Sequence, residues 1–352
     1  MTRAAIVGTG FVARVHAWAL RELGVEVAAV CGRTVAGAEA LVGELGQGRA
    51  YTDLSDLLGH EGIDCLHVCT PNSLHSEQAL LALERGVHVV CEKPLAVSTE
   101  ESARMVDAAR SSGLVGATCY HSRGYPLVEH MRSEVAAGSI GEVRTVHGRY
   151  VCDDALLPGA GGWRLDPVLS GPSYVTADLG THWLDLAEHV TGRRVVEVLA
   201  EFRGEPLEHT AALVLRFEGG ATGSLVLSAA VAGRKNKLLF DCEGEHGGLT
   251  WDQESPNDLL HRVAGEPSRL VVKDPAANTP PARALARYPA GHAEGYGGAF
   301  HNVFREIYRA VAGEPHAPFP TFEDGHRGVA LIEAAVASAH SGAWTLVRLS
   351  GA

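Results

Sequence analysis

From the first residues to about residue 119, short apolar, β-branched runs alternate with longer segments of helical period. Runs at 4–7, 26–31, 65–69, 87–91 and 114–118 predict strands, and segments at 11–23, 35–45, 74–84 and 99–111 predict helices, with a short helix at 54–58. Strands separated by helices need crossover connections, so this part predicts a parallel, doubly wound sheet.

Beyond residue 119 the pattern changes. A helix at 126–137 leads into a strand at 143–150, and β runs follow at 195–202, 211–217, 221–229 and 237–243 without helices between them. Short turns such as Glu218-Gly219-Gly220 predict hairpins of a largely antiparallel sheet. Residues 265–295 show no period and predict a long excursion, after which helices at 300–311 and 324–340 close the chain. The expected fold class is α/β: an N-terminal Rossmann dinucleotide-binding domain over 1–119 and a C-terminal α+β domain over 120–352 with an open-faced sheet. The last helix is free to pack back on the first domain. Too few helices are predicted to cover both faces of the second sheet, which implies a homodimer or homotetramer through the open face.

Composition narrows the function classes. A length of 352 residues, 46% hydrophobic and 20% charged, is that of an ordinary two-domain globular chain. The formal charge of −12, with no basic stripe, argues against nucleic acid and anionic membranes as partners. No apolar run reaches the roughly 20 residues of a membrane span, and the immediate N-terminal strand leaves no room for a signal peptide, so a cytoplasmic location is expected. The seven cysteines fall mainly in strand-like runs and read as reduced core thiols. The pair Cys65 and Cys69 on one strand cannot converge on an ion, and no metal is expected.

The chemistry begins at Gly8-Thr9-Gly10-Phe11-Val12-Ala13, between the first strand and the first helix. Gly8 permits a tight turn, Gly10 lets the backbone approach a pyrophosphate, and Ala13 allows close helix packing. Phe11 and Val12 open the helix whose free N–H groups face the anion. The second strand ends in Cys31-Gly32-Arg33-Thr34, with no acid for a ribose 2′-hydroxyl and a guanidinium suited to adenine or a 2′-phosphate. The cofactor expectation is therefore NAD or NADP, with NADP slightly favoured.

Two further motifs, Thr70-Pro71-Asn72 and Cys91-Glu92-Lys93-Pro94, follow predicted parallel strands, at the carboxyl ends where α/β ligands bind. Later come Gly162-Trp163-Arg164-Leu165-Asp166-Pro167 and Asp178-Leu179-Gly180-Thr181-His182-Trp183-Leu184-Asp185. Together these segments closely resemble the Gfo/Idh/MocA oxidoreductase family over nearly the whole chain. The resemblance implies that Lys93, Asp178 and His182 form the catalytic group, that Trp163 and Arg164 reach nicotinamide and substrate, and that Asn72, His75 and Glu92 line the ribose and nicotinamide pocket. Asp178 and His182 stand four apart, which on one helical turn puts them on one face. Oxidation of a secondary alcohol needs a base for the hydroxyl proton while hydride leaves carbon. His182 suits that acid/base role, Lys93 polarises the oxygen, and Asp178 orients the hydroxyl or the histidine.

Some segments depart from the family pattern. Gly171-Pro172-Ser173-Tyr174 replaces a glycine-rich stretch, so Tyr174 narrows the pocket or donates to the substrate, and His121-Ser122-Arg123 replaces Asn-Tyr-Arg, making His121 and Arg123 substrate candidates. Gly233-Arg234-Lys235-Asn236 and His292-Ala293-Glu294-Gly295-Tyr296 resemble the sugar-oxidising branch that includes levoglucosan dehydrogenase and glycoside 3-dehydrogenases, which implies a sugar or polyol substrate with His292 and Glu294 binding hydroxyls. Two other readings compete: an NAD-dependent glycosidase working by transient oxidation, and a non-catalytic dinucleotide-binding regulator.

Overall fold

A computed structural model describes residues 2–59, 62–157, 159 and 161–349. The chain divides into two compact units, one of residues up to 121 with 296–329, the other of 122–295 with 330–349.

In the first unit β1 (Arg3–Val7), α1 (Phe11–Glu22), β2 (Glu26–Cys31), α2 (Val35–Leu45), β3 (Arg49–Tyr51) and α3 (Leu54–Leu58) are followed by β4 (Cys65–Val68), α4 (His75–Glu84), β5 (His88–Cys91), α5 (Thr99–Ser112) and β6 (Gly116–Thr118). The sheet order is β3-β2-β1-β4-β5-β6, all parallel, so the direction of winding reverses between β1 and β4. That reversal puts the Gly8 turn at the switch point where such sheets bind ligands. Both faces of the sheet are buried: Ala5, Val7, Leu66, Val68 and Val89 belong to one core, and Ala4, Ile6, Val27, Val30 and Val90 to the other. This explains why the strands read as continuous apolar runs. β3 has only three residues, too few for a pattern, and was not foreseen.

The second unit contains α6 (Pro126–Ala136), β7 (Val143–Val151), α7 (Pro167–Ser170), α8 (Thr181–Thr191), β8 (Val195–Arg203), β9 (Thr210–Phe217), β10 (Thr222–Ser228) and β11 (Lys237–Gly244). It continues with β12 (Gly247–Asp252), β13 (Asp258–Val263), β14 (Arg269–Val272) and α9 (Pro280–Leu285). Its nine-stranded sheet runs β14-β13-β12-β11-β7-β10-β9-β8-β15, where β15 is Thr345–Leu346. Only β7 and β10 pair in parallel; the other neighbours are antiparallel. Along β9, Ala211, Leu213, Leu215 and Phe217 are buried while Ala212, Val214 and Arg216 are exposed, the alternation of a sheet covered on one face. Trp183 of α8 and Phe240 of β11 fill the covered side. The excursion at 265–295 holds β14 and α9. β14 was illegible because its residues are exposed or half-buried, so backbone pairing rather than an apolar pattern defines it.

The expected division put the helices after residue 295 in the second domain and left the last one free to pack back on the first. α10 (Tyr296–Val311) and the first part of α11 (Phe322–Ser341) count with the first unit. Phe300, Phe304 and Tyr308 recur every four residues on α10 and join Ile6, Ala17, Leu20 and Val90 in one core. α10 lies so close to α1 that a Cβ on Gly297 would come within 2.7 Å of the Trp18 ring. Periodicity revealed an apolar stripe on this helix but not which sheet it covers. No helix among the described residues is long and apolar enough to cross a membrane.

Phe304 is fully buried, so Phe304→Ala is expected to remove about 3–5 kcal/mol of stability and lower the thermal midpoint by several degrees. A midpoint within about 1 °C of the parent protein would contradict the placement of α10 in this core.

Candidate active site

Gly8 adopts φ +111°, and a Cβ there would overlap the carbonyl of Cys69. Only glycine lets β1 turn this close to the end of β4. Gly10 caps α1 without a side-chain hydrogen bond, no acid lies in the first turn, and a Cβ at Gly10 would meet nothing within 4 Å. The helix start is thus backbone facing open space, which fits a pyrophosphate. Arg14 braces the turn from outside, donating from Nη1 to the Thr9 carbonyl at 2.6 Å and pairing with Glu44. Phe11 is exposed and stacks over Tyr296 at 6.5 Å, and Val12 is half-buried against the α1 core.

The missing acid after β2 has a packing cause. A Cβ on Gly32 would come within 2.9 Å of the Thr9 methyl, so this position carries no side chain. Arg33 beside it is exposed. Thr34, a cofactor candidate, also caps α2, its hydroxyl accepting from the Gly37 N–H at 3.2 Å.

The loops after β4 and β5 are tied together by His75. Its Nδ1 lies 2.9 Å from the Pro94 carbonyl and its Nε2 2.9 Å from the Thr70 carbonyl. His75, expected to line the cofactor pocket, is buried between these loops; burial pulls its pKa down although the two carbonyls raise it, and a neutral ring donates to one of them. The Thr70 hydroxyl donates to Gln78 at 2.7 Å, Pro71 starts the short turn at Asn72–Leu74, and Asn72 is buried. Lys93 is half-buried and its peptide with Pro94 is cis.

Glu92, expected at the ribose, faces inward: Oε1 is 3.0 Å from His16 Nε2, and Oε2 accepts from the Lys93 N–H at 3.2 Å. Burial alone would raise its pKa, but the hydrogen bond and charge of His16, with Lys93 and Cys119, bring it down to about 2. His121, a substrate candidate, lies buried flat against Phe300 at 4.7 Å, and burial lowers its pKa to about 4, so it is neutral at physiological pH.

In the second unit Arg164 stacks over Trp163 at 4.8 Å and donates from Nε to Asp178 Oδ2 at 3.0 Å. Asp178 holds the guanidinium pKa above its usual value, although burial opposes this. Asp178 does not sit on a regular helical turn: Thr176–Gly180 forms a π-helical turn that runs into α8, which carries His182. Such wide turns recur at functional sites. Tyr174 is buried before this turn, and burial together with the Asp178 charge raises its hydroxyl pKa. Tyr150 of β7 lies 6.2 Å from the His182 ring and donates to Asn236 at 2.6 Å, which brings the Gly233–Asn236 segment to the same place.

The device that holds the π-turn was not foreseen. Glu208 is buried and accepts from the Ser173 hydroxyl at 2.6 Å and the N–H groups of Tyr174 and Thr176 at 3.0 Å, while Ser173 Oγ accepts from the Ala177 N–H at 3.2 Å. A lone acid in a loop gives no signal in sequence. Two other substrate candidates have partners within the second unit. Arg123 forms a two-pronged pair with Asp185, Nε to Oδ2 at 2.9 Å with a second bond from Nη2 to Oδ1, and so anchors α8. Glu294 is buried and accepts from the N–H groups of Arg287 and Tyr288 at 2.7 and 2.9 Å, closing its own loop, while His292 is exposed and bonded to Ala290.

The model of an oxidoreductase family with an NAD-binding Rossmann fold matches residues 2–120, and that of the GFO/IDH/MocA C-terminal domain matches 128–250. An uncharacterized oxidoreductase, YfiI, of Bacillus subtilis is 30% identical over 84% of this chain and 81% of its own. Levoglucosan dehydrogenase of Pseudarthrobacter phenanthrenivorans is 28% identical over 83% of this chain and 82% of its own. The crystal structure of an inositol dehydrogenase homolog from Azotobacter vinelandii, complexed with NADH and myo-inositol, is similar at TM-score 0.90 and 30% identity, covering 98% of this chain and 97% of that one. With the glycine turn, the Glu92-Lys93-Pro94 loop and the Asp178/His182 turn each in place, this chain belongs to the Gfo/Idh/MocA family of NAD-binding oxidoreductases.

Proposed function

We propose that this protein is a dehydrogenase, run in either direction, of a secondary hydroxyl on a sugar, glycoside or cyclitol, with Lys93, Asp178 and His182 as its catalytic group. The observation that carries this reading is a carboxylate, Asp178, held by Arg164 one turn before a buried histidine. A nucleotide-binding regulator has no need of such an acid–base pair. Relatives named for levoglucosan and inositol oxidation support a polyhydroxylated ring as substrate.

Nicotinamide, when bound, supplies the acceptor or donor of hydride. The protein does the rest. Gly8, Gly10 and the start of α1 hold the pyrophosphate, and Gly32 with Arg33 leaves room for a 2′-hydroxyl or a 2′-phosphate, which keeps both NAD and NADP as cofactors. His182 takes the substrate hydroxyl proton, the Lys93 ammonium attracts the oxygen as it gains charge, and Asp178 orients the hydroxyl. Glu208 keeps the turn under Asp178 and His182 in register. The exposed sheet face around Val214 and Val226 is the surface through which a homodimer or homotetramer would form.

A panel of polyols and glycosides assayed with NAD and with NADP should show formation of reduced nicotinamide. Glycoside cleavage with no net reduced cofactor would replace this reading with the glycosidase one. Lys93→Ala and His182→Asn should each lower turnover about 10²- to 10⁴-fold with cofactor binding kept; unchanged turnover removes the residue from the catalytic group. Glu208→Ala should lower kcat about tenfold or more through loss of turn geometry, with Glu208→Gln intermediate and cofactor affinity unchanged in both. Equal kcat in all three proteins would leave Glu208 without a part in positioning.

A further inference from the structure

Beneath the Lys93 loop, inside the first unit, two imidazoles are buried against each other. His16 Nδ1 lies 2.9 Å from His67 Nδ1, His67 Nε2 lies 2.9 Å from the Tyr308 hydroxyl, and His16 Nε2 lies 3.0 Å from Glu92 Oε1. His16 and His67 have no solvent exposure, and Phe300, Phe304 and Tyr308 of α10 pack against the rings.

Hydrogen-bond bookkeeping permits two directions along such a row, because a neutral imidazole has one donor and one acceptor nitrogen. A carboxylate only accepts, so an ionised Glu92 requires the proton of His16 on Nε2. The Nδ1 of His16 is then a lone pair, which obliges His67 to carry its proton on Nδ1 and to accept at Nε2 from the Tyr308 hydroxyl. Every link then has one donor and one acceptor, the Cys69 thiol approaching the same His16 Nδ1 at 3.4 Å as a second donor, and every dipole of the chain points at Glu92.

We propose that Tyr308, His67 and His16 form a one-directional chain of hydrogen bonds that fixes Glu92 as a buried anion under Lys93, making His16 a positioning residue for the Lys93 loop. Besides His16, the carboxylate receives the Lys93 N–H and the Cys119 thiol. The remaining titratable groups acting at this end are Lys93 itself, Cys69 after β4, Cys91 at the end of β5, His75 on α4 and His121 after β6. The anion anchors the backbone of Lys93 and places a fixed negative charge within reach of its ammonium. This role rests on Lys93 being catalytic, whereas the chain itself does not.

The sign of the pH effect follows. A carboxyl whose folded pKa is held below its ordinary value near 4.5 stabilises the fold fully above that value, and the contribution is lost as pH falls below it; with His16 neutral, its hydrogen bond rather than its charge supplies its share of the lowering. In the native protein Glu92 therefore stays charged throughout the working pH range. Removing the His16 donor leaves the buried carboxylate short of a partner and raises its pKa into that range.

The rival reading is a metal ion held by His16, Glu92 and Cys119, whose donor atoms lie within 4.8 Å of one another. It would take the Nε2 lone pair of His16, move the proton to Nδ1 and reverse every bond of the chain. Nitrogen-15 NMR of histidine-labelled protein distinguishes the two, with His16 and His67 assigned by loss of signals in His16→Gln and His67→Gln. The expected result is His16 protonated at Nε2 and His67 at Nδ1. The reverse tautomers would overturn the chain, whether or not any substrate is turned over. The coupling to Lys93 is read from the pH dependence of kcat. His16→Leu should acquire an acid limb, losing about tenfold between roughly pH 7 and pH 5, and His16→Gln, whose amide still donates, should restore the parent profile. A His16→Leu profile parallel to the parent, only scaled, would remove His16 from the positioning of Lys93.

Discussion

A carboxylate buried at the end of β5 is tolerable only if its surroundings donate to it, and much of the first unit is arranged around that condition. Desolvating a carboxylate costs several kcal/mol, while hydrogen bonds to a charged group return about 1.5–3 each. Glu92 gathers its donors from three places: His16 on α1, the Lys93 N–H of its own loop, and Cys119 after β6. The site loops are thereby held to the helix that begins at the glycine turn. The aromatic stripe of α10 then keeps water from the imidazoles, so a helix late in the chain shelters chemistry set near its start.

The second unit uses the same physics. Glu208 gathers two N–H groups and a hydroxyl at the entrance to the π-turn, where a helix start would otherwise leave donors without partners. Arg123 and Asp185 lock α8 one turn beyond His182. Asp178 is left to its pair with Arg164 at the surface of this frame, and a wide turn rather than an ideal helix carries it. Rigid support behind a partly exposed reacting group is what precise positioning requires.

Several polar residues of the motif segments proved to be braces. Thr34 caps a helix, His75 ties two loops, Arg123 grips Asp185 and Glu294 closes its own loop. Sequence shows that such a side chain can donate or accept, but its partner lies up to 62 residues away, as for Arg123 and Asp185. Glu208, 32 to 35 residues from the groups it holds, had no motif to announce it. His16 did carry a hint, a polar residue on the apolar face of α1, but its meaning depended on His67 and Tyr308.

The sequence by itself determined the alternation of strand and helix, the glycine turn, the antiparallel character of the second sheet and the family motifs. These follow from local periodicity and from residues, such as Gly8, whose backbone conformation or packing admits little else. Tertiary structure alone decided which sheet α10 covers, that the Asp178 turn is π-helical, and which charged side chains are engaged in bracing the fold. Those outcomes depend on partners distant in the chain, and a donor or acceptor acquires its role only when folding brings its partner within hydrogen-bond distance.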